Sequence, residues 1–298
     1  VSIKKVTEAV MHMERVEMAL EAALSEAGGA KCPPLLASAL RYAVFPGGHR
    51  IRPQIVLAVA TACGDPNPHH TDAAAVAIEL MHCASLVHDD LPAFDDAPIR
   101  RGKPTIHVEY NEPLAILTGD ALIVLAYEAL GRAFSDDPRQ LARMISIVSR
   151  SVGAPGGIIA GQAWESESTI SLVDYQRAKT GALFAGATLA GAAAAGRDPE
   201  AWRALGDYIG EAYQVADDLR DLLCDAEELG KPAHQDERRA RPNAAAQLGI
   251  GGAKARLTEL ADAAAASIPD CPGAEQLRVV IRAQTRQLFP SQLEQYAA

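Results

Sequence analysis

The chain has 298 residues, 49% of them apolar, which is enough to bury a large hydrophobic core. Its formal net charge of -10 argues against nucleic acid and against an anionic membrane surface as partners. The five cysteines (Cys32, Cys63, Cys83, Cys224, Cys271) are scattered without a CxxC pair, and no apolar run reads as long enough to span a bilayer; the expectation is a cytoplasmic chain with reduced thiols, no signal peptide and no stable membrane insertion.

Val6, Val10, Met13, Val16, Leu20 and Leu24 recur in steps of three and four and predict a first helix, ended by Gly28-Gly29. A second helix is predicted from Pro34 to Phe45. Pro46-Gly47-Gly48-His49-Arg50-Ile51-Arg52-Pro53 then turns the chain and opens a third helix that runs to Cys63. Arginines at a helix N-terminus suit an anion. Gly64 to His70 reads as a loop, with His69 and His70 solvated. The next helix, from Thr71, is apolar from Ala73 to Val87 and ends at Asp89-Asp90, where Pro92 bends the chain.

Ala97 to Pro113 reads as loop, Leu114 to Phe134 as a central apolar helix and Pro138 to Val152 as another. After Ala154-Pro-Gly-Gly157 a short helix carries Gly161-Gln162-Ala-Trp-Glu165. Leu172 to Ala195 is helical with a break expected at Lys179-Thr180-Gly181, and Glu200 to Asp225 carries Asp217-Asp218-Leu-Arg-Asp221. Spacings of three and four set those three carboxylates near one helix face, one turn after Tyr213 and Gln214. A polar loop from Asp225 to Pro242 and helices at 245–266 and 274–296 complete the chain. Strand alternation does not persist and no linker separates zones of composition. The expected fold is all-α, a single-domain helical bundle over residues 1–298 with a central active-site cavity.

Asp89, Asp90, Asp95 and Asp96 fall within eight residues, and Arg100-Arg101 follow. Like charges this dense call for a cation, and Mg²⁺ takes oxygen ligands from carboxylates and substrate phosphates. Guanidinium forks match phosphate oxygens. Two carboxylate clusters in different halves of the chain suggest metal held around one diphosphate, stabilising its departure from an allylic carbon. The cation left behind is then open to attack by an alkene. The apolar helices offer room for a hydrocarbon tail.

On these motifs the chain resembles the trans-isoprenyl diphosphate synthase (polyprenyl synthetase) family, most clearly from Tyr42 to Asn243. The family's DDxxxxD matches Asp89-Asp90-Leu-Pro-Ala-Phe-Asp95, followed by Arg100-Arg101-Gly102, and its DDxxD matches Asp217-Asp218-Leu-Arg-Asp221. Gly161-Gln162, Lys179-Thr180, Gln214 and Gly230-Lys231 fall where that family has them. The resemblance implies an isoprenoid synthase bundle, usually homodimeric. It implies head-to-tail condensation of isopentenyl diphosphate onto an allylic diphosphate, with three Mg²⁺ per active site. By the same resemblance Asp89, Asp90, Asp95, Asp217 and Asp221 serve the metal, and Asp218 and Lys179 join the catalytic set. Arg100, Lys179, Thr180, Gln214 and Lys231 hold the allylic diphosphate; His49, Arg52, His82 and Arg101 hold isopentenyl diphosphate. Released diphosphate takes the final proton.

Two residues depart from the family pattern. His49 stands where a lysine is common, and Glu165 stands where an aspartate is frequent. A diphosphate beside an imidazole favours its protonated form, so His49 is expected to donate to isopentenyl diphosphate and to bind it less well as pH rises. His82 lies seven residues before Asp89, two turns back on the same helix face. Ala84 and Ser85, one turn before Asp89, are small where farnesyl-forming members often carry an aromatic. With the longer first motif they resemble bacterial geranylgeranyl diphosphate synthases, and a C20 product is expected. The alternatives are a farnesyl diphosphate synthase, a non-catalytic regulatory subunit of another prenyl synthase, and a terpene cyclase. A cyclase commonly pairs Asn/Asp, Ser/Thr and Glu in its second motif and lines its cavity with aromatics, whereas aromatics here are 5% of the chain.

Overall fold

The computed structural model describes residues 3–169, 171–223 and 244–287. In chain order the helices are α1 (Ile3–Ala27), α2 (Pro34–Val44), α3 (Ile51–Ala62), α4 (Pro68–Asp89), α5 (Ile106–Glu109), α6 (Glu112–Ala133), α7 (Pro138–Val152), α8 (Ile158–Ala163), α9 (Leu172–Gln176), α10 (Ala182–Ala194), α11 (Arg203–Leu223), α12 (Ala244–Ala266) and α13 (Ala274–Gln287). The fold is all-α, as the helical periodicity predicts. Two compact units share the chain: Val1–Ser149 with Gly186–Pro199, and Arg150–Ala185 with Glu200–Ala298. Neither is one continuous stretch.

In the first unit α4 and α6 pack together most extensively. Helix α4 is buried on nearly every side from Thr71 to Met81, because Ala73, Ala74, Ala75 and Ala77 let neighbouring backbones come close around Val76, Ile78 and Leu80. Its start is fixed by Pro68 in the first turn and by Asn67, whose side chain accepts from the His70 amide. Asn111 caps α6 in the same way, accepting from the Leu114 amide at 2.8 Å. A Cβ on Gly119 of α6 would lie 2.1 Å from His88 Nε2. The missing side chain is what admits the last turn of α4, where His88 Nε2 reaches 3.3 Å from the Ile116 carbonyl.

Helix α6 is long and apolar enough, by length and composition, to cross a membrane. This differs from the expectation that no run reaches that length. Polar punctuation by Glu112 and Asp120 hides the run when residues are read singly. One face of α6 packs along α4, which gives the apolar composition a second explanation.

The stretch Ala97 to Pro113, expected to be loop, holds an antiparallel pair, β1 (Ile99–Arg100) with β2 (Lys103–Pro104), and then α5. Arg101 and Gly102 turn the pair with φ of 53° and 74°. Short strands of this kind carry too few residues to show alternation. In the second unit α11 and α12 share a core of Ala212, Val215, Ala216, Leu219, Ala253, Leu257 and Leu260. The expected break at Lys179-Thr180-Gly181 is instead a π-helical turn, Arg177–Gly181, between α9 and α10. A π turn inserts into the helix without ending it. The polar loop from Asp225 to Pro242, and the end of the last predicted helix beyond residue 287, lie outside the described residues.

Candidate active site

The turn between α2 and α3 is built on a buried cation. Arg50 is the N-cap of α3 with φ 49°, and its side chain has no exposed surface. Its Nη1 donates to Glu79 Oε1 at 2.7 Å, its Nε to Glu17 Oε1 at 2.8 Å and its Nη2 to the Val44 carbonyl at 2.8 Å. Burial disfavours the Arg50 cation, but its bonds to Glu17 and Glu79 outweigh that and hold it above its usual range. A Cβ on Gly47 would fall 2.1 Å from Arg50 Cζ, and one on Gly48 would fall 2.8 Å from Arg101 Cζ. The paired glycines are therefore the surface on which two guanidinium groups lie. Sequence reasoning grouped Arg50 with Arg52 as an anion ligand at the helix start, whereas Arg50 is buried on Glu17 and Glu79, and it missed Glu79. The available signal was Glu79 itself, a lone carboxylate in the apolar run of α4.

His82 and Arg52 meet beside this turn, with Arg52 Nη1 3.5 Å from His82 Nε2. Desolvation, and then the charges of Arg52, Arg101, Arg100 and Arg50, push the His82 imidazole well below its usual range. Burial and the surrounding cations thus disfavour the charged form of His82. His49 sits exposed on the turn, its carbonyl accepting from Gln54 Nε2 at 2.7 Å. The hairpin that carries Arg100 and Arg101 is tied down by Lys103, whose ammonium donates to the Tyr42 and Phe45 carbonyls at 2.6 and 2.8 Å. The Cys83 thiol, pushed up to about 12 by burial, is unsuited to nucleophilic chemistry.

At the end of α4 the adjacent carboxylates part company. Asp90 is 4% exposed and both of its oxygens are held by Arg100, with Nε 2.7 Å from Oδ2 and Nη2 2.6 Å from Oδ1. Burial raises the Asp90 carboxyl and Arg100 opposes that rise. Asp89 lies further from the same guanidinium, at 3.9 Å. The Asp95 amide donates to the Asp89 carbonyl at 2.9 Å, so the loop folds Asp95 back onto the helix end beside Asp89. Asp96, at φ 47°, is exposed and lies 4.0 Å from His107 Nε2. Among the described residues no three His, Cys, Asp or Glu side chains converge enough to hold a metal by themselves. The oxygen-only donors Asp89 and Asp95 suit Mg²⁺, which commonly takes one or two carboxylates and completes its shell from substrate phosphate and water. Ala84 is buried, and the half-buried Ser85 donates its hydroxyl to the His82 carbonyl at 2.8 Å.

The second unit holds two linked groups of its own. Thr180, on the π turn, donates to Gln214 Oε1 at 2.8 Å, and Gln214 Nε2 donates to Asp218 Oδ1 at 2.8 Å. Asp218 is buried and Asp217 is half-buried beside it on α11. Lys179 Nζ lies 2.6 Å from Glu165 Oε1. The side chain of Asp221, and all of Lys231, lie outside the described residues.

Comparison with known proteins gives one family. Residues 33–270 match the model for polyprenyl synthetase. The chain is 58% identical over 280 residues to the geranylgeranyl diphosphate synthase of Cereibacter sphaeroides, covering 94% of this chain and 97% of that protein. It is 55% identical over 269 residues to the geranylgeranyl diphosphate synthase of Rhodobacter capsulatus, covering 90% and 93%. Among solved structures, geranyltransferase from Helicobacter pylori, complexed with magnesium and isoprenyl diphosphate, aligns with a TM-score of 0.80 at 29% identity over 96% of this chain and 99% of that one. The chain belongs to the polyprenyl synthetase family.

Proposed function

We propose that this chain condenses isopentenyl diphosphate head-to-tail with an allylic diphosphate and stops at geranylgeranyl diphosphate. The observation that carries this is the 58% identity to a geranylgeranyl diphosphate synthase across 94% of the chain. The small Ala84 before the first aspartate segment supports the C20 length. The whole chain acts as one catalytic domain.

Asp89 and Asp95, with Asp217 and Asp221, are the residues that would hold magnesium, at three ions per site. When bound, magnesium supplies positive charge to the departing diphosphate. Asp90 fixes the Arg100 guanidinium, which binds the allylic diphosphate together with Lys179, Thr180, Gln214 and Lys231. Asp218 orients the Gln214 amide, which in turn fixes the Thr180 hydroxyl. Arg52 and Arg101 give isopentenyl diphosphate its counter-charge, and His82 gives it a hydrogen bond. Once the C–O bond of the allylic substrate breaks, the isopentenyl alkene attacks the allylic cation. The proton then lost from the new cation goes to the released diphosphate, so the chain needs no base of its own.

Turnover of isopentenyl diphosphate by the purified chain alone, abolished by chelation of Mg²⁺, tests the reading. Conversion of geranylgeranyl diphosphate alone to a hydrocarbon would make the chain a cyclase instead. His49→Ala should raise the KM for isopentenyl diphosphate, and an unchanged KM would contradict a role for His49 in holding that substrate.

The chain works as a homodimer in the cytoplasm. Cys32, Cys83 and Cys271 are free thiols, in keeping with a reducing compartment. Ile116, Leu117 and Val124 lie 47%, 53% and 64% exposed along α6. An apolar stripe of this kind suits a second copy of the same helix. Leu117→Asp with Val124→Asp should convert the dimer to a monomer in light scattering. An unchanged mass would place the contact elsewhere.

A further inference from the structure

Glu165 takes no part in the scheme above, yet three donors converge on its carboxylate. Lys179 Nζ and Tyr175 Oη meet Oε1 at 2.6 and 2.7 Å, and Gln162 Nε2 meets Oε2 at 3.0 Å. The four residues come from α8, the 3₁₀ turn Trp164–Ser166, α9 and the π turn. Lys179 also lies 5.7 Å from the Tyr175 ring. The Glu165 and Lys179 side chains keep 23% and 20% of their surface exposed, so the pair is reachable by a ligand from solvent.

We propose that Glu165 is a positioning residue that, braced by Tyr175 and Gln162, orients the Lys179 ammonium toward the allylic diphosphate. The proposal rests on the reading of Lys179 as a ligand of that diphosphate. Lysine is a point charge on a flexible stem, and holding such a side chain still costs rotamer entropy. A carboxylate fixed by two neutral donors meets that cost before substrate arrives. An ammonium carries three N–H donors, so a bond to Glu165 and a bond to phosphate are compatible. Glu165 is itself an anion and repels the diphosphate, so its benefit lies in geometry and not in attraction. The π turn contributes by letting adjacent side chains engage separate partners, Lys179 with Glu165 and Thr180 with Gln214.

Steady-state kinetics with each diphosphate varied in turn tests this, using Glu165→Gln, Tyr175→Phe, Lys179→Met and the double variant Glu165→Gln/Lys179→Met. Glu165→Gln keeps the shape and removes the charge. It should raise the KM for the allylic substrate about tenfold, the size of one weakened charge-assisted bond. The KM for isopentenyl diphosphate should stay within about twofold. Tyr175→Phe should move the allylic KM the same way by a smaller factor. In the Lys179→Met background, Glu165→Gln should add nothing, since a residue acting through Lys179 has no further effect once Lys179 is gone. Multiplying effects in the double variant, an unmoved allylic KM in Glu165→Gln, or equal rises for both substrates would overturn the role of Glu165. An unmoved allylic KM in Lys179→Met would overturn the assignment of Lys179, and the proposal with it. Thermal melting of each variant separates these results from loss of fold.

Discussion

Replacing Ala84 with Phe shortens the product from C20 to C15 or less. Ala84 is 1% exposed on α4, one turn before Asp89, so any larger side chain there must take space inside the molecule. Overpacking a filled core costs about 1–3 kcal/mol and shifts the neighbours. If the space is a channel for the growing hydrocarbon, the phenyl ring lies in the channel, the fold keeps most of its stability and elongation stops a unit early. The two cases differ in a measurable way. Chromatography of the dephosphorylated products, beside a thermal melt, should show a C15 or shorter alcohol from a stable protein. A C20 product from Ala84→Phe removes this position as a determinant of length.

Asp89→Asn is expected to lower kcat on the order of 10²–10³-fold, the loss typical of weakening one source of charge stabilisation at a leaving oxygen, here the magnesium that Asp89 would hold. The fold should survive, because Asp89 is not the main partner of Arg100, and Asp90 keeps both of its bonds to that guanidinium. Asp90→Asn should behave differently. It leaves Arg100, a largely covered cation, without its main carboxylate partner and with Asp89 only at 3.9 Å. Thermal stability should therefore fall with activity, by less than the ~3–5 kcal/mol of a fully buried broken pair because Arg100 keeps 28% of its side chain exposed. Equal melting points for the two variants would mean that the Asp90–Arg100 pair does not support the fold.

This division between neighbouring aspartates shows where the sequence stops being legible. The helices were readable because burial of one face imposes a period of 3.6, as in α11, and because apolar runs as long as α4 and α6 exceed the length of a strand. The two aspartate segments were readable because clustered carboxylates have few uses without a cation. Which carboxylate Arg100 grips was not readable, because it depends on a hairpin of two-residue strands turned by Arg101 at positive φ. Arg50 and Arg52 look equivalent in Gly-Gly-His-Arg-Ile-Arg. Only Glu17 and Glu79, 33 and 29 residues away, draw Arg50 into the interior and leave Arg52 beside His82. Gly181 looked like a helix break because glycine is a poor helix former. Its neighbours hold a π turn instead, and that turn sets Lys179 against Glu165.

The central claim is a C20-forming prenyl transfer, and its most direct test is the chain length made from labelled isopentenyl diphosphate by the purified protein with Mg²⁺ and a C5, C10 or C15 allylic primer. All three primers should run to geranylgeranyl diphosphate as the end product. Accumulation of a C15 end product from the C5 and C10 primers, or no incorporation from any primer, would contradict it.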